Sequence, residues 1–191
     1  MWSLEHPSPS RGVKERLRLL YSREQITERV KMLAGTINQD YSGRQEIILI
    51  GILKGAFVFL ADLIRHLTVP VIIDFIQLSS YGAYTQSSGQ VMKLSDLHHP
   101  IREKDVIVVE DILDSGLTMR FLLEELQKQH PRSLKICALI DKRHRRLMPI
   151  EADYVGFHLE EGFVVGYGID YNEKYRQLPD IYTVEFLSPQ S

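Results

Sequence analysis

The stretch Val106-Ile107-Val108-Val109-Glu110-Asp111-Ile112-Leu113-Asp114-Ser115-Gly116-Leu117-Thr118 decides how the rest of the chain is read. It opens with four branched apolar residues, as suits a strand buried on both faces of a parallel sheet. Glu110 and Asp111 are expected to end that strand. After two apolar residues, Asp114 to Thr118 is small and polar. From Met119 to Gln129 the leucines at 122, 123 and 126 follow helical spacing, which predicts a helix. The order is strand, acidic glycine-bearing loop, helix.

That order has a physical use. The first N–H groups of a helix have no partner within it, and the aligned peptide dipoles place about half a positive charge there, so the site attracts phosphate. Gly116 lets a ligand approach the backbone, and Ser115 and Thr118 add hydroxyl donors. Glu110 and Asp111 are acceptors at neutral pH, which suits them to vicinal sugar hydroxyls or a divalent metal. The loop reads as a ribose-phosphate cradle. An ordinary βα turn would account for the apolar strand and the glycine, but it does not call for three carboxylates within five positions.

Composition narrows the classes. A chain of 191 residues that is 44% hydrophobic can bury one sizeable core, with room for a small second lobe. The formal net charge of −2 offers no global basic footprint for nucleic acid or an anionic membrane. No apolar run reaches the roughly 18 residues of a transmembrane helix, because the best candidate is broken by Lys54 and by Arg65-His66. Cys137 is the only cysteine, so no internal disulfide can form and a reducing, cytoplasmic setting is the expectation. Residues 1–20, with prolines and serines near the start and no apolar h-region, are expected to be a disordered extension, and 21–187 one domain.

Ser22-Arg23-Glu24-Gln25 matches a capping box, and Ile26, Val30, Leu33 and Ile37 continue it as an amphipathic helix over 22–38. Ile47 to Leu53, Ala56 to Leu67 and Val71 to Gln77 read as strand, helix and strand, a βαβ unit. Lys54-Gly55 sits just past its first strand, where open α/β sheets bind ligands. From Leu78 to Asp105 no clear element emerges, and the polar stretch that includes Ser80 and Tyr81 suits a lid, with a plain hairpin as the alternative. Leu134 to Ile140 is a strand. The basic run Lys142 to Arg146 is favoured as a solvated turn. Asp153 to His158 and Gly162 to Asp170 look like short strands and turns, and Ile181 to Phe186 a last strand.

The central stretch, four apolar residues, two acids, two apolar residues and Asp-Ser-Gly-x-Thr, resembles the phosphoribosyl-pyrophosphate motif of the type I phosphoribosyltransferases. The resemblance spans about residues 20 to 186. Lys54-Gly55, Ser80-Tyr81, Lys142, Phe163, and Asp170 with Arg176 narrow it to the hypoxanthine/guanine branch. It implies an α/β fold: a central, mainly parallel sheet flanked by helices, with a small hood drawn mainly from the C-terminal segment. It implies that Lys54, Gly55 and Arg176 bind pyrophosphate, with a cis peptide before Lys54, and that Ser115, Gly116, Leu117 and Thr118 hold the sugar phosphate. Asp114 would accept a proton from the purine. Lys142 would read an exocyclic oxygen, Phe163 would stack on the base and Val164 would meet it through backbone groups, with Asp170 nearby. Magnesium would be held by Glu110, Asp111 and Asp170, Ser80-Tyr81 would form the lid, and the protein would be a homodimer or homotetramer. Leu117 stands where some members carry lysine.

The activity implied is purine salvage: transfer of phosphoribose from phosphoribosyl pyrophosphate to a 6-oxopurine. The competing class is a regulatory protein on the same fold that senses phosphoribosyl pyrophosphate or nucleotides. Asp114, Lys142 and Phe163 together argue against it, since a sensor has no need of a proton acceptor beside a base-reading set. A pyrimidine or adenine transferase would call for a different set over 142–164.

Overall fold

The computed structural model describes residues 14–80, 91–93 and 95–187. A six-stranded sheet runs in the order β4 (Val91–Lys93), β3 (Val71–Ser80), β2 (Ile47–Leu53), β5 (Asp105–Leu113), β6 (Ser133–Asp141), β7 (Tyr154–His158). All pairings are parallel except the edge pair β3–β4. Helices α1 (Arg23–Asp40) and α2 (Phe57–Ile64) contribute to the core on one face and α3 (Leu117–Gln127) to that on the other.

Period-two alternation explains why the strands read as unbroken apolar runs. In β2, Ile47 and Leu49 enter the core shared with α1 and α2, whereas Ile48, Ile50 and Ile52 enter the core under α3. In β5 the split is Ile107 and Val109 against Val106 and Val108. Ser22 caps α1 with the expected reciprocal bonds to Gln25, and α1 buries Ile26, Val30, Leu33 and Ile37.

The order β3-β2-β5 places the topological switch point between β2 and β5. After β2 the chain adds β3 on one side, then returns to add β5 on the other. Ligands of open α/β sheets bind beyond the carboxyl ends of the strands at such a point. Here those ends carry Lys54-Gly55 and Asp114 to Gly116.

Three expectations need correction. Residues 14–20 are not part of a disordered extension: Lys14–Tyr21 forms β1, antiparallel to β9 (Ile181–Leu187), with Leu17 opposite Val184. With β8 (Val164–Val165) they make a second sheet in the order β1-β9-β8. The ladder joins distant parts of the chain, so its only local trace is the Arg16-Leu17-Arg18-Leu19 alternation. Secondly, β5 does not stop at Glu110 and Asp111 but runs to Leu113, because β6 continues the ladder alongside it as far as Asp141. Thirdly, the segment after Gln77 is not featureless. β3 extends to Ser80 and pairs with β4, Ser80 opposite Val91, and the return is anchored where Asp74 accepts hydrogen bonds from the backbone N–H of His98 (2.7 Å) and His99 (2.9 Å). Tyr81 lies outside the described residues. Among the described residues no helix is long and apolar enough to cross a membrane.

Candidate active site

At the end of β5 a cavity of about 190 Å³ is lined by Ile52, Leu78, Glu110, Ile112 to Gly116, Thr118 and Met119. Gly116 caps α3 with φ of 82°, the left-handed conformation that favours glycine. Its carbonyl accepts the Arg120 N–H at 2.9 Å, so the helix begins immediately past it. Ser115, Gly116 and Thr118 therefore surround the helix N-terminus. Leu117 is exposed, which leaves its backbone as what it can offer a ligand there.

The two carboxylates behind the cradle differ. Burial, reinforced by the charge of Asp111, pushes Glu110 well above the usual carboxylate range. Asp111 turns back on the chain, accepting the Ile112 N–H at 2.9 Å, and lies so close to Gly55 that a Cβ added there would be 1.9 Å from Asp111 Oδ2. The Lys54-Gly55 loop is thus seated directly on the acidic pair. The peptide before Lys54 is cis.

A third loop closes on the same place. A Cβ on Gly168 (φ 95°) would meet the Gly55 carbonyl at 2.7 Å, so only glycine lets this turn approach the loop after β2. Beyond it, Arg176 bonds the Gly168 carbonyl (2.8 Å) and Asp170 Oδ1 (2.7 Å), while Asp170 Oδ2 accepts the Glu173 N–H (2.8 Å). Glu173 spans the two cations: Lys54 Nζ is 3.0 Å from one of its oxygens and Arg176 Nη2 3.3 Å from the other. The Lys54 bond, then that of Arg176, lowers the Glu173 carboxyl below its ordinary value.

On the other side of the cradle, Lys142 is 4% exposed, whereas Arg143, His144 and Arg145 of its basic run are exposed. Burial lowers its ammonium below the ordinary lysine value, against the opposing pull of Asp114. Its Nζ donates to the Gly162 carbonyl at 2.8 Å, immediately before Phe163. Phe163 meets Tyr171 edge to face (centroids 5.1 Å), and Phe186 completes a three-ring cluster, 5.5 Å from Tyr171. Val164, the residue after Phe163, is buried at 2% exposure. Asp114 has one carboxylate oxygen buried without a hydrogen bond, with Arg145 Nε ion-paired to it at 3.3 Å.

The structure therefore brings together Glu110, Asp111, Asp114 and the cradle residues with Lys54 and Gly55, Asp170 and Arg176, and sets Lys142, Phe163 and Val164 beside them. Of the expected lid, Ser80 ends β3. Sequence reasoning missed Glu173, Arg145, Arg146, Tyr171 and Phe186. The basic run does form a turn, a short 3-10 helix at Arg143–Arg145, but Arg146 reaches back to the buried Asp141, and Leu147 N–H bonds the Ser115 carbonyl at 2.9 Å. The turn thus braces the cradle. Its only signal was the density of arginine.

Residues 20–172 match the model of the phosphoribosyl transferase domain. The chain is 45% identical over 171 residues to the hypoxanthine-guanine phosphoribosyltransferase of Aquifex aeolicus, covering 90% of this chain and 96% of that one. Identity to the enzyme of that name from Dictyostelium discoideum is 42% over 164 residues, covering 84% and 91%. A crystal structure of a hypoxanthine-guanine phosphoribosyltransferase from Bacillus anthracis superposes with a TM-score of 0.84 at 48% identity, covering 90% of this chain and 99% of that one.

Proposed function

The chain belongs to the hypoxanthine-guanine phosphoribosyltransferases of the phosphoribosyl transferase family, and on that premise we propose that it transfers phosphoribose from phosphoribosyl pyrophosphate to hypoxanthine or guanine, releasing pyrophosphate and forming the nucleoside monophosphate. The observation that carries the reading is the meeting, at the switch point, of an acidic pair, a glycine-capped helix N-terminus and a buried lysine beside an aromatic cluster. Residues 14–187 are taken as one domain with the smaller sheet as its hood.

The bond from the anomeric carbon to pyrophosphate breaks ahead of the bond to the base nitrogen, leaving a cationic sugar. Glu110 and Asp111 accept the ribose hydroxyls. Ser115, Gly116, Leu117 and Thr118 hold the 5′-phosphate at the N-terminus of α3 through N–H and hydroxyl donors. Lys54, Gly55 and Arg176 receive the departing pyrophosphate, with Arg176 suited to a bidentate grip. Asp114 takes the proton from the imidazole side of the purine, a role worth typically about 10²- to 10⁴-fold. Lys142, a donor only, favours an oxygen over an amino group at the exocyclic position. Phe163 stacks on the base and Val164 meets its edge, and the role of lid, keeping water from the cationic sugar, is assigned to Ser80 and Tyr81.

Magnesium fits the donor set. Among the described residues no group of three or more His, Cys, Asp or Glu could cage a metal, and this ion is typically bound by one or two carboxylates together with substrate oxygens. Glu110, Asp111 and Asp170 are the candidate ligands in this reading, one or two of them holding the ion together with substrate oxygens, and a dication beside Glu110 and Asp111 would relieve the raised proton affinity of Glu110. When bound it supplies charge neutralisation of the diphosphate. A homodimer or homotetramer in the cytoplasm, binding neither nucleic acid nor membrane, completes the reading. The net charge of −2 supports the lack of nucleic-acid and membrane binding, and the lone cysteine, Cys137, whose thiol is pushed up by burial, supports the reducing compartment.

The test is pyrophosphate release from the purified protein with magnesium, phosphoribosyl pyrophosphate and each of hypoxanthine, guanine, xanthine, adenine and uracil, beside Asp114→Asn. Turnover confined to oxopurines and reduced at least about tenfold in the variant is expected. Binding of phosphoribosyl pyrophosphate without turnover on any base would refute the enzyme and favour a sensor.

A further inference from the structure

Glu173 has no part in the chemistry just described, yet its carboxylate holds both cations of the pyrophosphate site, one oxygen to Lys54 and the other to Arg176. The placement is built into the loop. Asn172, Glu173 and Tyr175 all have positive φ (51°, 61° and 75°), a conformation that non-glycine residues adopt at a cost. The Glu173 N–H is fixed to Asp170, and the Tyr175 hydroxyl is tied to Glu15 of β1. Arg176 is itself held by Gly168 and Asp170, so the loop aims one acid at two positioned cations.

We propose that Glu173 is an internal competitor for the pyrophosphate site, a carboxylate that the diphosphate of substrate or product must displace from Lys54 and Arg176. The inference rests on the assignment of those two residues to pyrophosphate. Its value to the enzyme lies in release. A binding interaction equally strong before and after the transition state tightens substrate and product alike without accelerating the chemical step, and product release limits many well-evolved enzymes. A tethered anion at the cations weakens both diphosphate complexes and shortens the life of the product complex. Both partners are more than half exposed at the Lys54 contact, so the competition is modest and salt-sensitive.

The experiment is calorimetric titration of wild type, Glu173→Gln and Glu173→Asp with pyrophosphate, with and without magnesium, at low and high salt, alongside steady-state kinetics. Glu173→Gln keeps the shape and removes the charge. Its pyrophosphate Kd and its KM for phosphoribosyl pyrophosphate are expected to fall together by about three- to tenfold, with KM for the purine unchanged and the difference shrinking at high salt. Glu173→Asp, too short to reach both cations, is expected to fall between. A Glu173→Gln constant equal to or weaker than wild type overturns this inference alone, since a residue that only shaped the loop would weaken binding when replaced. Wild-type protein that binds no pyrophosphate under any condition overturns the assignment of Lys54 and Arg176, and this inference with it.

Discussion

Gly55→Ala tests the seating of the loop after β2 on the acidic pair. The new Cβ would lie 1.9 Å from Asp111 Oδ2, 2.3 Å from its Cγ and 2.7 Å from Oδ1. Comfortable contact needs about 3.5 Å, so the carboxylate must swing away and give up the Ile112 N–H. Crowding of this kind costs about 1–3 kcal/mol of stability, which at roughly 2–4 °C per kcal/mol is a visible but survivable fall in Tm. A displaced Asp111 also loses its proposed hydrogen bond to a ribose hydroxyl, and a bond to a charged group is worth about 1.5–3 kcal/mol, so kcat/KM for phosphoribosyl pyrophosphate should fall about 10- to 150-fold. Thermal melts and kinetics should be run on Gly55→Ala, Asp111→Ala and the double variant. If the clash is the cause, Gly55→Ala adds little stability loss once the Asp111 side chain is gone. A Gly55→Ala enzyme with kcat/KM for phosphoribosyl pyrophosphate within twofold of wild type would refute the reasoning.

Asp105, 2% exposed, is held by Arg132, Ser133 and Arg44, and the Arg132 bonds chiefly lower its carboxyl below 3.8. A depressed carboxylate stabilises the fold above that ordinary value and loses its contribution as pH falls through the lower one. Asp105→Asn should therefore lower stability at pH 7 by about 1–3 kcal/mol given the half-exposed arginines, seen as a fall in Tm, and flatten the acid limb below about pH 4. An unchanged acid limb would count against it. Lys142 shifts the other way: its ammonium is lost as pH rises through a value below 10.5. In that window the unfolded chain binds more protons, so stability from this group rises with pH while oxopurine recognition falls. Wild type should show a loss of kcat/KM for hypoxanthine below pH 10.5 that Lys142→Gln lacks, and superimposable pH profiles would contradict this. Gly166, with φ of 99°, has no room at all, since a Cβ would sit 2.0 Å from the Asp180 carbonyl. Backbone cannot step aside as Asp111 can, so Gly166→Ala should cost about 3 kcal/mol or more, read by thermal unfolding.

The parallel core was legible because strands buried on both faces announce themselves as apolar runs: Ile47 to Leu53, Val106 to Val109 and Leu134 to Ile140 all lie within strands. The strand, glycine-bearing loop and helix at Val106 to Gln127 were legible because that order is local, a few consecutive residues between one strand and one helix. What escaped depends on distance along the chain. β1 takes its ladder from β9, the arm of Glu173 matters only because Lys54 lies across from it, and the ring cluster joins Phe163 to Phe186. Lys142 stands in a basic run yet is buried, its Nζ bonded to the carbonyl of Gly162, twenty positions along the chain, a partner its neighbours in sequence do not reveal.

The pairing of β1 with β9 sets the order in which the protein can assemble. Lys14 lies opposite Leu187, about 170 positions away, whereas the six-stranded sheet is complete by His158. A chain emerging from the ribosome can close its parallel core while β1 still waits for an edge, and closing so long a loop is entropically the most expensive contact of the fold. The segment carrying Glu173 and Arg176 lies between those two events. Pulse-labelled hydrogen exchange should find β1 and β9 protected after β2 and β5, and simultaneous protection would contradict this order. On this order the loop carrying Glu173 and Arg176, proposed above to meet pyrophosphate, is expected to be among the last parts to be fixed, once β1 and β9 have met.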